Sequence, residues 1–263
     1  MPLQLHFSKM HGLGNDFIII DGVSQPFSIK DLPIAQLADR FTGIGFDQLL
    51  VLLPSVKADF ACRIFNSDGS EAEQCGNGLR CVARLVHEKK LISTNHLSLE
   101  TLAGIISVTI TDYETITINL GIPELQNKTL ILAPFSEKLS VLSLGNPHAI
   151  LSVEAVQDYP VATLGSAIGA HPFFTQGTNV GFMEIVNRQH IRLRTFERGV
   201  GETLACGSNA SAAAVAGIWN DLLDHKVRVD LTLGSLWVEW EGMQQPVMMT
   251  GPASYVFSGT MLV

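Results

Sequence analysis

The chain of 263 residues is long enough for one large domain or two of ordinary size, each with a sizeable core. Its net charge of −8, with 17 scattered Lys and Arg residues, argues against a nucleic-acid-binding protein, because phosphates need clustered positive charge. No apolar run approaches the about 18 residues of a membrane span, and the N-terminus lacks the pattern of an export signal, so we expect a cytoplasmic protein with a small-molecule partner.

Turns and strands dominate the predicted elements. Glycine-containing turns are predicted at 11–16 and 41–48, where only Gly-x-Gly occurs, which falls short of the known nucleotide-binding fingerprints. Alternating apolar and polar residues rich in Val, Ile and Thr predict strands at 115–120, 227–234 and 236–240. Each half of the chain is therefore expected to be mostly strand.

Two helices are predicted, each directly after a Cys-Gly pair. The segments 79–90 and 210–220 lack Pro and favour a helix, and the second consists of residues small enough on all sides to be buried. Cys75 and Cys206 should therefore lie at helix N-termini. Between the two halves, Gly and Pro at 119–125 predict a junction.

The sequence repeats itself with an offset of 131 residues, about half its length. Aligning Cys75 with Cys206 brings further polar positions into register without an insertion, which indicates a duplicated fold of two lobes. We assign residues 1–118 and 249–263 to the lobe with Cys75, and residues 119–248 to the lobe with Cys206. The other matched pairs are Asn15 with Asn146, Gln48 with Asn179, Phe65 with Phe196, and Asn66 with Glu197.

A cysteine at a helix N-terminus is suited to acid–base chemistry. The unpaired N–H groups and the helix dipole favour a thiolate and can also hold a carboxylate. Gly76, Gly78 and Gly207 would let a ligand approach the backbone closely. Two such thiols, one on either side of a cleft, could take a proton from an α-carbon and return one to its opposite face. This arrangement predicts a racemase or epimerase that requires no cofactor.

Five longer stretches occur: "KMHGLGNDF" (9–17), "GIGFDQLL" (43–50), "NSDGSEAEQCGNGLRC" (66–81), "GNPH" (145–148) and "ERGVGETLACGS" (197–208). They resemble the diaminopimelate epimerase family, and the match covers nearly the whole chain. The resemblance implies a cofactor-independent isomerase that interconverts LL- and meso-diaminopimelate for lysine and peptidoglycan synthesis. It also implies an α+β fold of two pseudo-symmetric lobes, each a mostly antiparallel, barrel-like sheet around a central helix, with the active site in the cleft between lobes. Homodimers are often formed.

The resemblance also implies roles for individual residues. Cys75 and Cys206 match the catalytic thiols, one acting as base while the other acts as acid, and His148 and Glu197 match positions thought to tune their pKa values. Arg198 suits the distal carboxylate of the substrate, because an Arg can grip a carboxylate with two parallel bonds. The other substrate-binding positions are Asn15, Gln48, Asn66, Asn146, Asn179 and again Glu197, with backbone donors from Gly76, Asn77, Gly207 and Ser208.

Two positions depart from the pattern of the family. Asn209 stands where Gly is usual, and Ser211 stands where Cys is often seen. Because Asn tolerates a positive φ better than most residues, we expect an adjusted helix start rather than an inactive one, and Ser211 falls inside the helix. Glu71 and Glu202, which the offset also matches, are interpreted as helix-start carboxylates favoured by the dipole.

Other interpretations of the cysteines stay open. Cys62 and Cys81 are expected to be core residues, since cysteine is among the most buried residue types. A related proline or hydroxyproline racemase or epimerase would share the lobed fold and the paired cysteines, although the long motifs and Arg198 argue against it. The alternative from another class is a non-catalytic redox sensor in which Cys75 and Cys206 form a reversible disulfide.

Overall fold

A computed structural model of the protein describes residues 4–262, which form two compact units. One unit comprises the chain up to Ile118 together with the segment from Gly251 onward, and the other comprises Asn119–Thr250. The predicted lobes place the second boundary at 248 instead. Residues 1–3 and 263 of that prediction lie outside the described part of the chain.

Strands outnumber helices in both units, and helices are few, which confirms the predicted α+β class. The helices are α1 (Ile34–Ala38), α2 (Gly76–Glu88), α3 (Val161–Gly169) and α4 (Gly207–Trp219), with a short 3-10 helix at Ile29–Asp31. In chain order the strands are β1 (Gln4–Gly12), β2 (Asn15–Asp21), β3 (Gln48–Pro54), β4 (Phe60–Asn66), β5 (Glu71–Ala72), β6 (His96–Thr101), β7 (Gly104–Ile110), β8 (Ile116–Asn119), β9 (Glu124–Ile131), β10 (Lys138–Ser143), β11 (Pro147–Val153), β12 (Asn179–Asn187), β13 (His190–Glu197), β14 (Gly201–Thr203), β15 (Lys226–Leu231), β16 (Gly234–Glu239), β17 (Met248–Gly251) and β18 (Ser254–Leu262).

All five segments predicted as strand or helix have the predicted type. The three predicted strands correspond to β8, β15 and β16, and the two predicted helices correspond to α2 and α4. Both helices begin three residues earlier than predicted, because the Gly-rich first turn is helical and Cys75 and Cys206 themselves are the N-cap residues. Along residues 4–262, no helix is both long and apolar enough to cross a bilayer.

The first unit is a mixed sheet with α2 packed on one face. β1 pairs antiparallel with β2 and β18, β2 runs parallel to β3, and β3 pairs antiparallel with β4. Further along, β4 runs parallel to β6, and β6, β7 and β8 follow as an antiparallel meander. Because side chains alternate along a strand, Ile18 and Leu49 join the cluster around α1, whereas Phe17 and Leu50 contact Gly78 of α2.

The second unit uses the same order of pairings. β11 runs parallel to β12, β12 pairs antiparallel with β13, and β13 runs parallel to β15. α3 packs on β12 and β13, whereas α4 contacts β10, β11, β12 and β16. Every residue of α4 from Asn209 to Ile218 is buried, which confirms the burial predicted from its small side chains.

The offset of 131 residues is confirmed in the backbone of the two units. α2 and α4 have 13 residues each and begin at Gly76 and Gly207. The parallel register that places Phe17 opposite Gln48 recurs with His148 opposite Asn179. Polar residues matched by the offset therefore occupy equivalent positions of equivalent elements.

Candidate active site

Cys75 lies directly before α2 and is the N-cap residue of that helix. Its backbone is extended, with φ −147° and ψ 103°, and its side chain is partly exposed. The first backbone N–H groups of a helix have no partner within the helix, so those that follow Cys75 can donate to an anion. Gly76 and Asn77 provide the first two of them.

Asn15 and Asn77 surround the Cys75 thiol with amide groups. The Sγ atom of Cys75 lies 3.7 Å from Oδ1 of Asn15, and Nδ2 of Asn77 donates to the same oxygen at 3.4 Å. The orientation of Asn15 is set by Asp47, whose carboxylate accepts a hydrogen bond from Nδ2 of Asn15 at 2.9 Å. The structure thus brings three of the predicted site residues together.

Gln48 and Asn66 face each other across β3 and β4. Nε2 of Gln48 donates to Oδ1 of Asn66 at 2.9 Å, and Nδ2 of Asn66 donates to Oγ of Ser70 at 3.0 Å. Oε1 of Gln48 is buried and has no hydrogen-bond partner among residues 4–262. A buried amide oxygen without a partner is costly, so this atom is an acceptor suited to a ligand N–H group.

Arg80 was not among the predicted site residues, yet it is fully buried one turn beyond Cys75. Its Nη2 donates to Oδ1 of Asn77 at 2.8 Å, and its Nε donates to the carbonyl of Pro252 at 3.0 Å. Burial lowers the pKa of Arg80 to about 10, while negative charge on Cys81 or Cys75 acts in the opposite direction. The guanidinium therefore stays charged at neutral pH. The signal in the sequence that could have identified Arg80 was its position on the buried face of a predicted helix.

Cys206 is the N-cap residue of α4, with φ −123° and ψ 112°, and only 7% of it is exposed. Its Sγ atom lies 3.4 Å from Oγ of Ser208. Burial raises the pKa of the Cys206 thiol well above its ordinary value, and the negative charge of Glu197 and a hydrogen bond to that residue raise it further. Ser208 and the backbone N–H of Asn209 offset only part of this effect. Cys206 is consequently a thiol at neutral pH.

His148 is fully buried in β11, between two amide side chains. Its Nδ1 lies 3.2 Å from Oδ1 of Asn209, and its Nε2 lies 2.9 Å from Oδ1 of Asn146. Nδ2 of Asn146 lies 3.4 Å from Oγ of Ser208. Burial lowers the pKa of His148 to about 4, and the positive charge of Arg198 contributes. The imidazole is therefore neutral at neutral pH, and a hydrogen-bonded path connects it to Ser208.

Asn179 and Arg198 are linked through backbone groups. The backbone N–H of Arg198 donates to Oδ1 of Asn179 at 3.0 Å, and Nδ2 of Asn179 donates to the carbonyl of Pro147 at 3.1 Å. The exposed Arg198 guanidinium donates to the carbonyl of Gln176 at 3.1 Å. No carboxylate of residues 4–262 forms an ion pair with it, so a surface ion pair does not explain this residue.

Glu71 and Glu202 are not helix-start carboxylates. They lie in β5 and β14, where each forms a close ion pair with an Arg eight positions earlier in the chain. Nε of Arg63 donates to Glu71 at 2.7 Å, and Nε of Arg194 donates to Glu202 at 2.7 Å. The cross-strand Arg residues are at equivalent positions of the repeat, which is why the offset matched the glutamates.

The remaining cysteines and the departures from the family pattern are explained by packing. Cys62 and Cys81 are buried, and burial raises the pKa of both thiols, to about 12 for Cys81. Asn209 lies within α4 and does not have a positive φ, so the helix start needs no adjustment for the replacement of Gly by Asn. Ser211 donates to the carbonyl of Gly207 at 2.9 Å inside the helix. Among the described residues, no group of three or more His, Cys, Asp or Glu side chains could hold a metal ion.

Known proteins share the fold and nearly half of the sequence of this chain. The structure of a hydroxyproline epimerase from Agrobacterium vitis superposes with a TM-score of 0.77 at 15% identity, covering 100% of this chain and 94% of the other, and shows the same fold. Proteins named diaminopimelate epimerase from Nitrosomonas europaea and Nitrosomonas eutropha are 47% and 46% identical, over 98% of this chain and 99% of theirs. The family model described as Diaminopimelate epimerase matches residues 7–126 and 140–256. The chain thus belongs to the diaminopimelate epimerase family.

Proposed function

We propose that the protein is an isomerase that interconverts LL- and meso-diaminopimelate, with Cys75 and Cys206 as the two acid–base groups. The observation that carries the proposal is the repeated N-cap cysteine: two equivalent helices each begin directly after a cysteine. A helix N-terminus stabilises a thiolate and a bound carboxylate by the same N–H groups. The product is a precursor for lysine and for peptidoglycan.

The proposed reaction moves two protons and needs no change of oxidation state. The thiolate of Cys75 takes the α-proton of the LL-substrate and becomes a thiol, while the electron pair of the broken C–H bond is delocalised into the α-carboxylate. The thiol of Cys206 gives its proton to the opposite face of the same carbon and becomes a thiolate. In the reverse direction the two cysteines exchange roles. Backbone N–H donors that hold the carboxylate stabilise the developing charge.

Two differences between the repeats support Cys75 as the thiolate and Cys206 as the thiol before the LL-substrate reacts. The buried cation Arg80 has the neutral Ser211 as its equivalent, and the neutral Asn66 has the anion Glu197 as its equivalent. A nearby cation favours a thiolate, and a nearby anion favours a thiol. Both differences therefore favour a thiolate at Cys75 and a thiol at Cys206.

Diaminopimelate carries an amino group and a carboxylate at each end, and the polar residues suit both. We assign the reacting carboxylate to the first backbone N–H groups of the two helices, those of Gly76 and Asn77 in α2 and of Gly207 and Ser208 in α4. The unpartnered Oε1 of Gln48 suits a substrate ammonium group. Arg198, which is exposed and has no ion-pair partner among the described residues, suits the distal carboxylate.

Two further properties belong to the proposal. We propose that the protein works in the cytoplasm and that it forms a homodimer. Sedimentation velocity of the purified chain measures the second property directly: a species of twice the chain mass is expected at micromolar concentration, and a monomer throughout would exclude the homodimer.

The activity is tested with LL-diaminopimelate in D₂O, by following deuterium at the α-carbon and formation of the meso-isomer. We expect both to occur with the native protein, and Cys75→Ala and Cys206→Ala each to slow epimerisation by roughly 10²-fold or more. Normal rates in both variants would exclude the two-base mechanism. Cys81→Ala is the matched control, because the equivalent residue of α4 is Ala212.

A substrate panel separates the proposal from its alternatives. Proline, hydroxyproline and lysine should not be turned over, since none offers a distal amino-acid carboxylate for Arg198. Turnover of proline or hydroxyproline with none of diaminopimelate would favour the related racemases. A disulfide between Cys75 and Cys206 that switches binding of a partner, in a protein without epimerase activity, would favour the redox sensor.

A further inference from the structure

Asn209 of α4 has a side chain at a position where the equivalent residue of α2 has none. The equivalent residue of α2 is Gly78, over which Leu50 packs so closely that a Cβ atom would lie 2.7 Å from its Cδ2. In the second unit the two sizes are exchanged: the residue equivalent to Leu50 is Gly181, and a Cβ atom there would lie 3.0 Å from Oδ1 of Asn209. Gly181 thus makes the space that the Asn209 side chain fills.

Asn209 is fully buried, and its amide can take only one orientation. Nδ2 donates to the carbonyl of Val180 at 3.1 Å, which turns Oδ1 toward Nδ1 of His148 at 3.2 Å. Rotating the amide would place its NH₂ group against His148 and its oxygen against the Val180 carbonyl, two acceptors facing each other. Since Oδ1 can only accept, the proton of the neutral imidazole must be on Nδ1.

The position of this proton determines the next hydrogen bond. A neutral imidazole has one N–H, so Nε2 of His148 is an acceptor and requires a donor from Asn146, which lies 2.9 Å away. The structure places Oδ1 of Asn146 toward the ring and Nδ2 toward Ser208, so the two amide atoms must exchange places, which brings Nδ2 to the ring and Oδ1 to Ser208. Ser208 then donates its hydroxyl proton to Asn146, and a lone pair of its oxygen faces Sγ of Cys206, 3.4 Å away.

We propose that Asn209 is a positioning residue that holds His148 in the Nδ1–H form and thereby sets the orientations of the Asn146 amide and of the Ser208 hydroxyl beside Cys206. Each donor in this series of hydrogen bonds has one acceptor, from Ser208 through to the carbonyl of Val180. The role of Cys206 as an acid rests on the proposed function, whereas the protonated nitrogen of His148 can be measured without any substrate.

The competing explanation is that Asn209 only fills space beside Gly181. Two variants separate packing from hydrogen bonding. Asn209→Leu keeps a side chain of similar shape without its polar atoms, and the pair Asn209→Gly with Gly181→Ala refills part of the space from the strand side. The nearest remaining atom to the new Cβ at 181 is Cδ1 of Ile150, the mobile end of a side chain.

The first readout is the tautomer of His148 in protein labelled with ¹⁵N-histidine, assigned with His148→Gln. Long-range ¹H–¹⁵N correlation spectra should show Nδ1 protonated and Nε2 unprotonated in the native protein, and a mixed or reversed tautomer in both variants. An Nε2–H form in the native protein, or an unchanged Nδ1–H form in the variants, would overturn the proposal.

The second readout is steady-state epimerisation. We expect kcat to fall about tenfold or more in both variants, because a misdirected Ser208 hydroxyl beside Cys206 impairs the chemical step. Unchanged kcat would show that Asn209 only packs. Asn220→Ala is the control: this residue ends the same helix, donating to Ser140 and Ala216, so its loss should lower stability without changing the tautomer.

Failure of the proposed function and failure of the positioning role of Asn209 give different results. If the native protein does not epimerise diaminopimelate, the proposed function is wrong, but the NMR experiment still decides whether Asn209 selects the tautomer. If the protein is active and the tautomer does not depend on Asn209, only the positioning role is wrong.

Discussion

Glu197 hydrogen-bonds to the thiol of Cys206, and its negative charge adds to burial in raising the pKa of that thiol. The hydroxyl of Thr203 donates to the same carboxylate, which holds it in place. The equivalent residue in the first unit is the uncharged Asn66, so this relationship exists in one repeat only. It keeps Cys206 protonated at neutral pH.

Replacing Glu197 by Gln should therefore lower the pKa of Cys206. We expect the basic limb of the pH profile of kcat/KM to move to lower pH, since that limb reports loss of the acid form. Any change in kcat/KM should be by the same factor in both directions, because the equilibrium between the isomers is unchanged. Glu202→Gln is the control, and an unmoved basic limb in Glu197→Gln would contradict the role.

Arg80 should support both the fold and the reactivity of Cys75. In Arg80→Met, Oδ1 of Asn77 and the carbonyl of Pro252 lose buried donors, at about 1–3 kcal/mol each, so we expect clearly lower stability in urea unfolding. Loss of the cation also disfavours the thiolate, so iodoacetamide should alkylate Cys75 more slowly. Arg84→Met is the control from the next turn: it loses an ion pair with Glu88, and equal slowing there would refute a specific effect of Arg80.

His148 should make stability depend on pH between about 6.5 and 4. Its pKa is lowered to about 4 by burial, so in this range the unfolded chain binds a proton that the fold does not. The free energy of unfolding should then fall as pH falls through this window, by about 3 kcal/mol at ~1.4 kcal/mol per pH unit. His148→Gln should flatten this slope, and the same change at the exposed His96 should not. Equal slopes in all three proteins would disprove the assignment.

The ion pairs of Glu71 and Glu202 should matter little to activity. Both are partly exposed strand pairs, with Arg63 and Arg194, and such pairs contribute at most about 1 kcal/mol each. We expect Glu71→Gln and Glu202→Gln to lower the unfolding free energy by no more than that and to leave kcat/KM within about twofold. A loss of activity near that of a cysteine variant would instead assign these carboxylates to the reaction.

The sequence alone was sufficient for the type of the main elements and for the repeat. Alternation in β8, β15 and β16 and the small residues after Cys75 and Cys206 are local signals, because backbone propensity and burial periodicity act over a few neighbouring residues. The offset of 131 residues needed only the comparison of one half with the other. The long motifs then indicated the family.

The partners of buried polar groups were decided by the tertiary structure. Arg80 meets Pro252, Glu71 meets Arg63 across a strand pair, and Asn209 meets His148, each through chain pairing that no local pattern encodes. Hydrogen bonds and desolvation depend on atoms brought together from distant positions, and they set the charge of Arg80 and the proton of His148. The sequence by itself determined that two cysteines begin two helices; only the fold decided that their surroundings differ in charge.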